Sequence, residues 1–193
     1  MNAPLNSNFS RARISACWTL ALLTVLLAGC SCGPGKLEEY TTRLREDFDA
    51  DEREKAAEKL GTLGDPDAVP ALREATRDPD DKVREAAAEA LGLLADPAAA
   101  ADLAALLRDP EKDVRRKAVK ALGLLGDAGR VSDLLPLLGD RSSDIRQETA
   151  EALGRIGSPL ALPFLQRLAA EDSDADVRAA AGFAARRIAP EVQ

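Results

Sequence analysis

From Leu37 onward, apolar residues return every three to four positions in short blocks, and the blocks themselves return every 31 residues. Leu60, Leu91, Leu122 and Leu153 keep that step, as do Gly61, Gly92, Gly123 and Gly154. In the clearest copy, Val83, Ala87, Leu91 and Leu94 share one face at a helical period, with Asp80 or Asp81 placed to cap the helix. Ala95-Asp96-Pro97 then stops this first helix and starts a second, because proline suits an opening helical turn. The second helix turns Ala100, Leu103, Leu106 and Leu107 inward and ends at Asp109-Pro110.

The next copy substitutes Val114, Ala118, Leu122, Leu125, Val131, Leu134, Leu137 and Leu138 at equivalent places, and the one after it Ile145, Leu153, Ile156, Leu162, Leu165 and Leu168. The first copy carries Glu52 and Thr76 in apolar columns, as the polarised edge of a stack would. Ahead of it, Leu37, Tyr40, Leu44 and Phe48 predict an orphan second helix that caps the array. At the other end Asp176–Ala189 supplies a first helix only, with Phe183 placed to seal the open end. A fixed period of this size predicts an all-α solenoid of stacked helical hairpins, with about four full repeats plus capping helices.

The pattern D-x-x-x-x-V-R-x-x-A-x-x-A-L-G-x-L-G-D resembles the HEAT repeat, in its short form named after phycobilisome lyases, over residues 37–189. That resemblance implies a right-handed superhelix with the second helices lining its concave side. It leaves function open, since such repeats serve as scaffolds, in a few enzymes and in nucleic-acid binders. It also suggests bilin-lyase-like activity as an alternative, for which the chain offers no chromophore-handling motif.

Residues 1–29 read as an address. Arg11 and Arg13 precede the apolar run Ile14–Ala28, which is short for a bilayer-spanning helix of ~20 residues and ends in small residues. Leu27-Ala28-Gly29-Cys30 resembles the lipobox of bacterial lipoproteins. The resemblance implies diacylglycerol transfer to the Cys30 thiol and cleavage after Gly29. Ser31, standing where enteric bacteria place a retention Asp, favours the outer membrane. An uncleaved signal anchor is the other reading of the same residues. Residues 30–36 form a Gly/Pro tether that, at ~3.5 Å per residue, keeps the folded domain close to lipid. Residues 190–193 are a tail. Cys17 leaves with the leader, so Cys32 has no intramolecular disulfide partner.

Composition then narrows the functions. Without the leader and its two arginines, 24 basic face 33 acidic residues, a balance of −9, which repels phosphates and argues against nucleic acid. There is no His for a triad or a metal-binding His-Glu pair, so neither a catalytic residue, a metal nor a cofactor is expected. Acidic pairs such as Asp80-Asp81 and Glu171-Asp172 fall at helix ends, where carboxylates stabilise the N-terminus.

The recurring Arg53, Arg84, Arg115, Arg146 and Arg178 lie one helical turn into each first helix, and Asp47, Asp78, Asp109, Asp140 and Asp172 close the preceding units. Regular recurrence assigns these pairs a structural task, tying repeats in register, rather than anion binding. Positions that vary between copies are better binding candidates. On the second helices these are Glu74, Arg77, Arg108, Arg130, Asp133, Leu135, Pro136, Phe164 and Arg167, apolar anchors beside arginines that suit a protein or peptide partner. The same face also reads as an ordinary solvated helix surface. The sequence therefore predicts a non-catalytic, lipid-anchored adaptor at a bacterial envelope membrane.

Overall fold

The computed structural model describes residues 35–189. The leader, Cys30, Cys32, most of the tether and the tail lie outside them. The described residues hold ten α-helices and no strand: α1 (Lys36–Glu46), α2 (Ala50–Leu63), α3 (Val69–Ala75), α4 (Asp81–Leu94), α5 (Ala100–Leu106), α6 (Lys112–Leu125), α7 (Val131–Leu134), α8 (Ser143–Ile156), α9 (Leu162–Glu171) and α10 (Ala175–Ile188). They stack as hairpins in which each second helix packs on the first helix that follows it, from α1 on α2 to α9 on α10. None is long and apolar enough to cross a membrane.

Local chemistry explains the boundaries. Asp49, Asp80 and Asp174 accept from backbone N–H groups two residues on, capping α2, α4 and α10. Gly64, Gly126 and Gly157 end α2, α6 and α8 in the left-handed region, and Ala95 does the same after α4 at φ 51°. A short 3₁₀ turn then leads into each second helix, opened by Pro66, Pro97 or Pro159 in three of the four. Leu60, Leu91, Leu122 and Leu153 are completely buried, each in its own layer, beside Val83, Val114 and Ile145.

The first helices α2, α4, α6, α8 and α10 pack directly on one another through the glycine column. A Cβ added at Gly61, Gly92, Gly123 or Gly154 would lie 2.9–3.0 Å from the Cα of Ala90, Ala121, Ala152 or Ala184 in the next layer. Successive second helices make few backbone contacts by comparison. In a curved two-layer stack the more tightly spaced layer is the inner one. The expectation that the second helices line the concave side is therefore corrected: the Gly/Ala seam draws the first helices to the inside. A repeat can be cut from sequence at either loop, so the order of helices within the period does not reveal the inner layer.

Two terminal expectations also change. Phe48 is fully exposed, because α1 ends at Glu46 and leaves it in the connecting loop, while Leu44 alone of α1 is buried. Phe183 is 58 % exposed and lines a cleft between α8 and α10 rather than sealing the end.

Candidate functional site

Each column arginine has two edges, and the fold uses both. Arg84 donates from Nη1 to the carbonyls of Asp78 and Pro79 in the loop before its own helix. Its Nε and Nη2 grip the Asp109 carboxylate of the next loop at 2.8 and 3.1 Å. Arg53 holds Asp78 and Arg146 holds Asp172 in the same bidentate way. The aspartates are bound a second time: Asp78, Asp109 and Asp172 accept from the N–H of Asp80, Glu111 and Asp174. Burial disfavours the charged forms of Asp78 and Asp109, but the arginine and backbone hydrogen bonds outweigh it and hold both carboxyls below their ordinary values. The Arg146 hydrogen bond is the main cause of the same lowering at Asp172. These side chains are mostly covered and fully engaged, an arrangement that fixes register rather than offering charge to a ligand.

One rung differs. Arg115 keeps its two carbonyl contacts, at 2.8 and 2.9 Å, but meets Asp140 only at 3.7 Å. The cause lies just upstream. The second helix of that repeat carries Pro136, which has no N–H to donate, and α7 stops at Leu134. The chain continues as a 3₁₀ segment, Leu135–Gly139, which delivers Asp140 from a different geometry.

The same break opens a cleft of about 600 Å³ against α9. It brings together four of the sequence candidates, Leu135, Pro136, Phe164 and Arg167, with Glu171 at its margin. Phe164 is partly exposed, and Arg167 has no ion-pair partner among the described residues. This is a site of suitable chemistry for a protein segment, with an apolar floor, an aromatic edge, the Arg167 guanidinium and the carboxylates of Glu171 and Asp172, the latter held by Arg146.

The other candidates lie elsewhere. Glu74 is taken by Arg45 at 2.8 Å. Arg77 joins Arg73 in clamping Asp102, whose side chain is only 5 % exposed. Asp102 thus bridges two repeats instead of facing solvent as its helical angle predicts. Arg130 and Asp133 lie 3.4 Å apart, paired with one another. Arg108 is exposed and apart from the cleft. Among the described residues, Arg178 donates only to the carbonyls of Asp172 and Ser173. The cleft residues that sequence reasoning missed, such as Leu138 and Leu168, belong to ordinary second-helix columns. The one signal for them was a proline inside an apolar run.

A second depression, about 440 Å³, lies on the inner layer between α8 and α10, lined by Glu151, Arg155, Phe183 and Arg187 among others. Arg155 there is paired with Glu148 and Glu151. No cluster of His, Cys, Asp or Glu able to hold a metal ion forms among the described residues.

With this geometry in view, the chain can be set beside known proteins. The family model for HEAT repeats matches residues 37–117 and 101–186. No curated protein sequence matches significantly. Among solved structures, the complex of CpcE and CpcF of phycocyanin lyase from Nostoc sp. PCC7120 superposes with a TM-score of 0.73 at 27 % identity, over 84 % of this chain and 68 % of that one. An engineered protein is 23 % identical, with a TM-score of 0.66 over 80 % of each chain. A designed armadillo repeat protein in complex with the peptide (KR)4 is 21 % identical, with a TM-score of 0.62 over 77 % of this chain and 80 % of that one. At these identities the last two likenesses concern the fold alone.

Proposed function

Because the chain belongs to the HEAT-repeat family, we propose that it is a non-catalytic adaptor that holds another protein against a bacterial envelope membrane. Its lipid anchor would be Cys30, and its main grip the cleft at Leu135, Pro136, Phe164 and Arg167. The observation that carries the second part is the broken helix. Pro136 interrupts an otherwise regular layer where apolar side chains and an arginine without an ion-pair partner among the described residues gather. The first part rests on the lipobox residues Leu27–Cys30 and the short tether after them.

The two parts are tested separately in the full-length chain. Cys30→Ala should move the protein out of the membrane fraction and abolish incorporation of labelled fatty acid; an unprocessed, unlabelled wild type contradicts the anchor. Phe164→Ala and Arg167→Glu should each remove the same co-purifying protein while leaving the helical melt unchanged. If both variants keep it, the cleft is not the grip. A subunit of a bilin lyase is the competing reading, favoured by the likeness to the CpcE and CpcF complex. Bilin titration separates the two: a shifted absorption band on mixing supports the lyase reading, and an unchanged spectrum supports the adaptor.

A further inference from the structure

The array begins with α1 packed on α2 and ends with α9 packed on α10, so one helix pair faces outward at each end. The Arg–Asp ladder is left open at both ends. Arg53, Arg84, Arg115 and Arg146 each reach forward to an aspartate of the next loop, whereas Arg178 keeps its carbonyl contacts and has no carboxylate partner among the described residues. At the other end Asp47 occupies the aspartate column, and among the described residues its carboxylate accepts only from the N–H of Asp49, while its carbonyl accepts from Arg53. The two ends are thus chemically complementary: an open guanidinium edge at one, an ungripped carboxylate at the other.

The Gly/Ala seam is terminated differently. Stepping one repeat back from Ala90, Ala121, Ala152 and Ala184 gives Lys59, and stepping forward from Gly61, Gly92, Gly123 and Gly154 gives Arg186; both are exposed. Added head to tail, a second copy would set Lys59 against Arg186 where every internal layer brings Ala against Gly. That contact has no room even for a glycine's missing Cβ, so two long cations meet a steric block and like-charge repulsion together. We propose that the ends of this array are mates, α10 with α2 and Arg178 with Asp47 of a second copy, held apart by Lys59 and Arg186. A head-to-tail contact of this kind does not close on itself and would otherwise propagate as a filament.

The test uses the full-length chain in non-ionic detergent, with sedimentation velocity across a wide concentration range and reductant present throughout. The leader's own association is common to all variants and sets the baseline. Lys59→Ala with Arg186→Gly should raise the sedimenting mass with concentration, into dimers and longer chains, while wild type stays at baseline. Adding Asp47→Asn or Arg178→Gln to that pair should weaken assembly roughly tenfold, since each removes one charge-assisted contact. Circular dichroism melts establish that each variant is folded before it is scored. A folded double variant that stays at the wild-type mass overturns the proposal. So does assembly indifferent to Asp47 and Arg178, or wild type that already assembles by these ends.

Discussion

The second and third repeats are built from nearly the same columns, yet they differ at one joint. In the second, α5 runs unbroken into Leu107, and the Arg84–Asp109 rung closes with two short bonds. In the third, Pro136 stops α7 after four residues, the Arg115–Asp140 rung opens to 3.7 Å, and a cleft appears beside α9. A periodic scaffold makes the cost of such an irregularity easy to see, because the neighbouring copy shows what the same residues do without it. The exception is confined to the outer layer. The inner seam of Gly92, Gly123 and Gly154 passes through both repeats unchanged.

The strongest way to break this comparison is at the rungs. Asp109→Ala strands the largely buried Arg84 and should cost about 3 kcal/mol in chemical denaturation. Asp140→Ala should cost less, about 2 kcal/mol, because it loses the hydrogen bond from the Ser142 N–H but only one long contact to Arg115. Equal losses would mean that the longer rung is as strong as the shorter. Next is the seam: Gly92→Val and Gly123→Val should each cost about 2 kcal/mol by overpacking, and nearly alike, since that layer does not sense Pro136.

The rungs also set the response to acid. In the folded protein Asp78, Asp109 and Asp172 sit below their ordinary carboxyl values. Their stabilisation is therefore complete above about pH 4, the unfolded range, and is lost as pH falls through the lower folded values. Melting temperature should be flat towards neutral pH and fall below that range. Asp109→Ala should flatten the acid limb.

Smaller effects sharpen the picture. Ala95 holds the left-handed position that Gly126 fills one repeat later. Ala95→Gly should stabilise by about 1 kcal/mol and Gly126→Ala should destabilise by about as much, measured by thermal melts. Pro136→Ala restores a backbone donor, so the amides of Leu137 and Leu138 should gain hydrogen-exchange protection as the cleft narrows, with global stability moving least of all.

Most of the fold was legible because a repeat prints the same constraint several times. The buried leucines, the glycine seam and the arginine–aspartate columns each recur in register, and recurrence marks packing. What varies between copies is read only once, and there the sequence was weaker. Asp102 looked solvent-facing until Arg73 and Arg77, a repeat away, closed over it. Phe48 continued a helical spacing that the chain abandons at Glu46. The inner layer could not be chosen, since curvature comes from spacing between layers and not from the order of helices within one. Of the candidate surface, the residues flanking one proline converge, while Glu74, Arg77, Arg130 and Asp133 are spent on ion pairs.

Site-resolved photocrosslinking in cells decides whether the Pro136 break makes the protein's grip. A photoreactive residue is placed at position 164, with a control at position 105 on the unbroken α5. One dominant adduct is expected from position 164, lost on Pro136→Ala or Arg167→Glu, and none from position 105. Equal adducts from both positions, or an adduct from 164 that survives those substitutions, would contradict it.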